Sequence, residues 1–405
     1  MKAGWEVKTL GDVCSFQRGL TYKKGDEVPH SKNRVLRANN IDRDTGTLKL
    51  NEIKYIRDDI DIPDAKKVQF DSLLICTASG SKSHLGKIAL INIRDDYAFG
   101  GFMGQITPAQ SIDPKFLYWF TQSNTYINFI DSLTDGANIN NLRFNQLSNL
   151  QIPLPPLEEQ KRIVSILDEA FEGLDRAREN AEANLKNARE LFESALNTQI
   201  TNDLKKYGTK QISELCETIV DCLNRTAPKV PGPTDYKMVR TTNIRNGALN
   251  LEQVNYVEEY TYIAWTRRQT PAIGDVLLTR EAPMGESAII DTEDKIFLGQ
   301  RIVSYRTKSE VLVPDYLLFC FQSKSMQDEF SRLGSGATVQ HIRVPQSKEL
   351  LVSCPPINQQ SNAVSRLKQL LKQSKRLQFV HQTKLQDISD LRQSLLQKAF
   401  AGELT

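Results

Sequence analysis

One sequence feature limits what this chain can fold into more than any other. A proline hinge leading into a long proline-free segment occurs twice, 200 residues apart. The first copy is Ile152-Pro153-Leu154-Pro155-Pro156-Leu157-Glu158-Glu159-Gln160, and the second is Val352-Ser353-Cys354-Pro355-Pro356-Ile357-Asn358-Gln359-Gln360. Paired prolines fix φ and remove backbone donors, so each hinge ends what precedes it and starts a helix. Glu158 and Glu159 then fall in a first turn, where the helix dipole favours negative charge. From Leu157 to Ile200 the only helix breaker is Gly173, and from Ile357 to Phe400 there is none.

Each segment carries an apolar seam with coiled-coil spacing. In the first it steps through Ile163, Leu167, Ala170, Leu174, Ala177, Ala181, Asn184, Ala188, Leu191 and Ala195. The same positions plus 200 are Ala363, Leu367, Leu370, Ser374, Leu377, His381, Lys384, Ile388, Leu391 and Leu395. Asn184 and Lys384 are equivalent polar positions of the kind that fixes register. Residues 157–200 hold 6 basic and 10 acidic side chains, a net of −4, and residues 357–400 hold 8 and 2, a net of +6. Self-pairing of either helix sets like charges together, so the charges predict one antiparallel pair within the chain. At 1.5 Å per residue each helix spans roughly 66 Å. Gly402 reads as the closing stop, and residues 202–209, with Lys205-Lys206 and Gly208, as the link into the second half.

The period of 200 extends beyond the hinges, which means a duplicated domain. Leu10-Gly11-Asp12-Val13-Cys14 answers Ile212-Ser213-Glu214-Leu215-Cys216, and Arg37-Ala38-Asn39-Asn40-Ile41 answers Arg240-Thr241-Thr242-Asn243-Ile244. Leu48-Lys49-Leu50 and Leu249-Asn250-Leu251 each follow a Gly turn as in a small hairpin. Ser72 to Thr77 and Asp275 to Arg280 are short apolar strands that enter polar loops. A strand follows each loop (residues 88–93 and 287–290). Pro114 to Phe120 and Pro314 to Cys320 are helices with Pro in the first turn. The expected architecture is α+β: two duplicated α/β domains joined by two long antiparallel coiled-coil helices, a pseudo-twofold molecule. Its segments are 1–152 (first domain), 153–207 (hinge and helix), 208–352 (second domain) and 353–405 (hinge and helix).

Chemistry is harder to find. The six cysteines are scattered without a C-x-x-C pair and read as reduced, buried thiols of a cytoplasmic protein. With only four histidines, no zinc spacing appears. No apolar run reaches the length of a membrane span, and the first residues do not form a signal peptide. Net charge is +3 and both globular segments are close to neutral, so a nucleic-acid surface has to be a local patch. The prolines of Leu154-Pro155-Pro156-Leu157 and Cys354-Pro355-Pro356-Ile357 lack the polar and aromatic neighbours with which an amino-methylase grips a flipped base. The glycine-rich Phe99-Gly100-Gly101-Phe102-Met103-Gly104 neither follows a clear strand nor fits a phosphate loop. Pro63-Asp64 and Pro314-Asp315 follow Glu52-Ile53-Lys54 and Glu293-Asp294-Lys295 in the wrong order for a nuclease metal site.

Two globular domains alternating with two similar long helices resemble the specificity subunit of type I restriction–modification systems. Trp5-Glu6-Val7-Lys8-Thr9-Leu10-Gly11-Asp12-Val13, the Pro-Pro-Leu-Glu-Glu-Gln hinge and the closing run from Ser394 to Leu404 are similar to that family over essentially the whole chain. The resemblance implies that each domain is a target recognition domain reading one half of a split, asymmetric DNA sequence. It implies helices that set the gap and dock two modification (methyltransferase) subunits, with ATP-dependent restriction subunits joining the complex. It implies one copy per complex, no catalysis by this chain and no cofactor on it. A related bifunctional type II system has the same architecture, and a non-catalytic assembly scaffold is the reading from a different class.

Base edges are read by Arg, Lys, Asn and Gln, while phosphates are held by basic side chains and amides. In the first half the candidates are Arg37, Asn39, Asn40, Ser79, Ser81, Lys82, His84, Lys87, Asn138, Asn140 and Arg143. In the second they are Arg240, Thr242, Asn243, Arg280, Gln300, Arg301, Gln340, His341 and Arg343. Arg37/Arg240 and Arg143/Arg343 are identical in both halves, which suits a shared phosphate or structural role. Base readers differ, as Lys82 and His84 do against Ala282, Pro283 and Met284. The acidic run from Asp58 to Asp64 reads as a face turned away from phosphate.

Overall fold

Both hinges fold alike, and a buried glutamine explains why. Gln160 is fully buried; its Oε1 accepts from the Asp113 N–H at 2.8 Å, and its Nε2 donates to the Ser111 and Pro155 carbonyls at 3.0 and 2.8 Å. Gln360 repeats this with the Val313 N–H (2.9 Å) and the Val311 and Pro355 carbonyls (2.8 and 2.7 Å). Each amide fastens the first helical turn to the loop that opens the Pro-led helix, Pro114–Thr121 or Pro314–Gln322. The computed structural model describes residues 1–405 apart from 1, 3, 43–44, 81–83, 135–140, 224, 335–339 and 405.

The chain forms two units: Met1–Ala181 with Thr383–Thr405, and Glu182–Gln382. In the first, a four-stranded antiparallel sheet runs Cys14–Arg18, Met103–Pro108, Leu73–Cys76, Ile88–Leu90 in spatial order. Its central strand Leu73–Cys76 is wholly buried because both faces are covered. Leu73 and Ile75 face a helical core with Phe116, Phe120, Ile163 and Leu167, while Leu74 and Cys76 face Leu36, Phe99 and Met103. Leu36 and Phe99 belong to a second sheet, in which Asn33–Leu36 pairs in parallel with Tyr97–Phe99. The second unit repeats the plan with Cys216–Asp221, Ile302–Thr307, Val276–Arg280 and Met284–Ile289, and with Tyr236–Val239 parallel to Lys295–Leu298. The expected small hairpins exist as Ile244–Arg245 paired with Ala248–Leu249, and as a single bridge between Ile41 and Leu48. Glu6–Thr9 pairs with the hinge strand Gln151–Leu154, so each domain's start is stitched to its end.

The first long helix runs Leu157–Tyr207 and the second Ile357–Ala401. Residues 202–207, expected as a link, are helical, since nothing breaks the helix before Gly208, whose φ of +72° supports the stop. Within the first unit Ile163, Val164, Leu167 and Phe171 share a core with Leu396 and Ala399. Within the second, Leu196 and Ile200 share one with Ala363, Val364 and Leu367. Low numbers meet high ones, so the helices pack antiparallel.

At six of the twenty seam positions the inward face lies one residue away from its expected place. Leu167, Ala181, Ala188, Leu367 and Ser374 are inward as expected, but Ala177, Asn184, Leu191, Leu377, Lys384 and Leu391 are exposed. Phe171, Arg178, Leu185, Phe192, Leu371, Gln378, Leu385 and Arg392 take the alternate positions. The cause is a third helix beside the pair. Phe171 lies edge-on to Trp119 at 4.6 Å and Phe192 lies 5.9 Å from Phe319, so each domain's Pro-led helix draws the apolar stripe toward itself. Asn184 and Lys384 therefore fix no register. Ser374 is the polar residue sealed in the seam, its Oγ donating to the Ala188 carbonyl at 2.6 Å. Arg392 crosses the pair to Asp175 and covers the Phe171 ring at 4.4 Å.

The cysteines are free; all but the half-buried Cys354 are buried. Burial pushes the Cys14 and Cys216 thiols up to about 12 and Cys76 to about 11, which suppresses the thiolate. No described helix is long and apolar enough to cross a membrane, and no group of His, Cys, Asp and Glu among the described residues could hold a metal ion.

Candidate nucleic-acid interface

In each unit the fold gathers separate loops at one end of the strands. In the first, Gly100 N–H donates to the Leu36 carbonyl at 2.9 Å, placing the turn after Tyr97–Phe99 beside Arg37. The Phe102 carbonyl accepts from the N–H groups of Thr77 and Ala78 at 2.9 and 3.1 Å and from Thr77 Oγ1 at 3.0 Å. Leu142 N–H donates to Thr77, and Ala78 bridges Asn141. The stretches around Arg37, Ser79 and Arg143 thus meet through backbone bonds. In the second unit Gly299 donates to Val239 at 2.7 Å, Arg280 to Arg301 at 2.8 Å and Ile342 to Arg280 at 3.0 Å, so Arg240, Arg280, Gln300, Arg301 and Arg343 gather the same way.

Individual side chains sort into different positions. Asn40 and Asn243 are buried, and each amide is used to shape its turn. Asn40 Oδ1 accepts from Arg37 N–H at 2.8 Å, and its Nδ2 donates to the Lys49 and Glu52 carbonyls. Asn243 repeats this with Arg240 N–H, Asn250 and Gln253. These two are turn-builders, with no amide hydrogen left for a base edge. Replacing either with Ala should lower stability by about 2–3 kcal/mol, through the lost bonds and the carbonyls left bare. A thermal melt checks this; an unchanged melting temperature with an altered DNA preference would reverse the assignment. Asn39 and Thr242, one residue earlier, are exposed.

Arg143 and Arg343 precede the short helices Phe144–Ser148 and Val344–Lys348 with exposed side chains, their backbone N–H groups capped by Gln146 and Gln346. Arg240 is half-buried and donates to the Gln253 carbonyl at 3.0 Å; Arg280 is tied to the Ile342 carbonyl at 2.9 Å. Ser79, His84 and His341 are half-buried and Gln340 is exposed. Lys87 lines a 150 Å³ cavity with Asp42 and Asp131, which gives it acidic surroundings. Ser81, Lys82, Asn138 and Asn140 lie outside the described residues.

The structure adds a feature that residue patterns did not indicate. In the second unit Arg225, Lys229, Arg240, Gln300, Arg301 and Trp265 line a cavity of 260 Å³ with no acidic residue in its wall. The Arg225 guanidinium sits 5.4 Å from the Trp265 ring, while Arg301 pairs with Glu281 at 3.2 Å. Arg225, Lys229 and Trp265 lie in a proline-containing loop and a helix that spacing does not connect to Arg240. Residues 58–62 of the acidic run instead line a 440 Å³ hollow with Lys32, Arg34, Lys67 and Asp96. The segment after Phe99 does follow a strand, contrary to the sequence expectation. It joins that strand to the next one, Met103–Pro108, and not to a helix, so it is no phosphate loop.

The type I restriction modification DNA specificity domain model matches residues 2–185 and again 205–382, so both halves carry it. The EcoKI specificity subunit of Escherichia coli K12 is 27% identical over 99% of this chain and 89% of its own length. The StySPI specificity subunit of Salmonella potsdam is 24% identical over the same shares. A solved chain reported under complex assembly and conformational transition of the type I R-M system superposes with a TM-score of 0.80 at 19% identity, covering 100% of this chain and 99% of that one. The HsdS subunit of Thermoanaerobacter tengcongensis gives 0.59 at 18%, covering 100% and 98%. With the same loop arrangement built twice and the domain model matched twice, this chain belongs to the type I restriction–modification DNA specificity family, whose role is to recognise DNA.

Proposed function

We propose that the chain reads a bipartite, asymmetric DNA target, one half-site per globular domain, and docks methyltransferase subunits along its long helices. The observation that carries this reading is the duplication. The same backbone constellation is built twice, with Phe102, Thr77 and Lys87 in one copy where the other has Arg301, Arg280 and Glu286. One framework with two sets of loop side chains is what two different half-sequences require. In the first domain Asn39 and Arg143 are exposed and Arg37 and Ser79 half-buried; Ser81, Lys82, Asn138 and Asn140 belong to the same loops by sequence. In the second Thr242, Arg301, Gln340 and Arg343 are exposed and Arg240 and Gln300 half-buried.

Docking of partner subunits is supported by large apolar side chains on the outside of the helices. Phe379 is 73% exposed, and Leu191, Leu377 and Leu391 face solvent. The chain then supplies the address, and the methyltransferase and restriction subunits supply the chemistry. Co-expression with its cognate methyltransferase subunit, followed by genome-wide mapping of N6-methyladenine, should yield a split motif with one methylated adenine in each half. An intact complex that leaves no new methylation would reject the proposal. Adding one heptad to each long helix at facing positions should widen the gap and leave both half-sequences unchanged. Altered half-sequences would refute the helical spacer.

A further inference from the structure

Among the described residues no large apolar side chain is more exposed than Phe102, at 75%. Its backbone, by contrast, is fixed. The carbonyl holds three donors from Thr77 and Ala78, and the turn is tied on its other side by the Gly100 bond to Leu36. At Gly101 a Cβ would come within 3.2 Å of Thr21 Oγ1 and 3.3 Å of the Leu20 carbonyl, so the chain packs tightly just before the ring. A phenyl group held in water on a rigid turn gains free energy only when something apolar covers it.

The surroundings indicate what covers it. Arg37 stands beside Gly100, Arg18 leads into Gly19, whose N–H bonds Met103, and Arg143 follows the Asn141 bridge. A protein-binding patch has an apolar centre with a polar rim, whereas the backbone segments joined to this turn bring in three arginines. The duplication gives an independent indication. Phe102 accepts from Thr77 as Arg301 accepts from Arg280, and Gly100 bonds Leu36 as Gly299 bonds Val239, so Phe102 and Arg301 occupy the same position. One domain presents an aromatic ring where the other presents a guanidinium beside its basic cavity.

We propose that Phe102 is a specificity-determining residue that selects a thymine in the first domain's half-site, by contact of its ring with the 5-methyl group in the major groove. This rests on the DNA-reading function proposed above. A phenyl ring has no hydrogen bond to offer, and the thymine methyl is the one apolar group that distinguishes a base edge in that groove. Arg301, at the equivalent position, can donate to a guanine edge or a phosphate. The two domains therefore differ in chemistry at one shared point of the fold.

The test uses the complex with its methyltransferase. Methylation mapping gives the motif. Binding is then measured on duplexes in which each thymine of the motif is replaced in turn by deoxyuridine, which lacks the methyl. Wild type should lose about fourfold in affinity at one position, the worth of roughly one buried methyl. Phe102→Ala should lose that discrimination and relax the motif at the same base pair, and Phe102→Leu should retain part of it. The inference is overturned if no uracil weakens wild-type binding, if Phe102→Ala keeps the wild-type uracil penalty, or if Phe102→Ala blocks subunit assembly instead. A wild-type complex that reads no split motif would remove the DNA-reading proposal itself, a result distinguishable because it appears before any variant is made.

Discussion

Changing Arg225, Lys229 and Arg301 together to glutamine should weaken DNA binding about 100-fold at 0.15 M salt. Each phosphate contact in B-DNA contributes about −0.9 to the slope of log K against log salt concentration. Three lost contacts flatten that slope by about 2.7, which between 1 M and 0.15 M salt amounts to roughly 10²-fold. The three side chains are exposed and line one acid-free wall, and only Arg301 has a carboxylate partner, Glu281. Their removal should leave the fold intact, since surface substitutions cost about 0.5 kcal/mol or less. A salt titration of affinity decides it. A reduced affinity with an unchanged salt slope would mean these cations do not face phosphate. A slope that falls by the stated amount while the motif is retained would assign them to backbone contact.

Gln160→Ala should be strongly damaging at its hinge, lowering stability by about 3 kcal/mol. It leaves the Asp113 N–H and the Ser111 and Pro155 carbonyls without their partner in a site closed to solvent, at about 1–3 kcal/mol for each group left bare. For a unit of this size that corresponds to a melting temperature lower by roughly 6–12 °C. Gln360→Ala should do the same in the other unit, where Val313, Val311 and Pro355 lose their bonds. Gln359, its exposed neighbour, is the control and should tolerate Ala with little change. Glutamate at position 160 should be worse than alanine, because a buried carboxylate cannot donate to two carbonyls. Melts of the variant complexes measure all four. A Gln160→Ala protein as stable as wild type would mean that water enters and replaces the amide.

The two hinges also show how local signals and tertiary ones divide. Prolines, a breaker-free run and acidic first-turn residues are local, and they placed the helix starts at Leu157 and Ile357, where the structure has them. The duplication was legible for the same reason, because residues such as Leu10/Ile212 and Pro114/Pro314 recur at nearly constant offset. The antiparallel pairing followed from net charge, a property of whole segments that survives small errors of register.

The seam did not survive such errors. Ala177 or Arg178, Leu191 or Phe192, are equally acceptable to a heptad count, and only the neighbouring Trp119 and Phe319 decide between them. Asn40 and Asn243 are ambiguous in the same way. An asparagine after a strand looks alike whether it faces a base or bonds its own turn, and burial alone separates the two. The basic cavity was invisible because Arg225, Arg240, Trp265 and Arg301 are brought together by strand pairing. Phe102 is hidden in the same way, because the glycines around it suggest only a phosphate loop and its exposure follows from the fold.

The sequence by itself determined the duplicated plan, the two long helices, their start points and the family. Each of these is written in short-range patterns or in totals over many residues. Tertiary structure alone decided which helical face is buried, which polar side chains are spent inside the fold, and which loops share an edge. Those outcomes depend on contacts between residues far apart in the chain, and no local pattern encodes them.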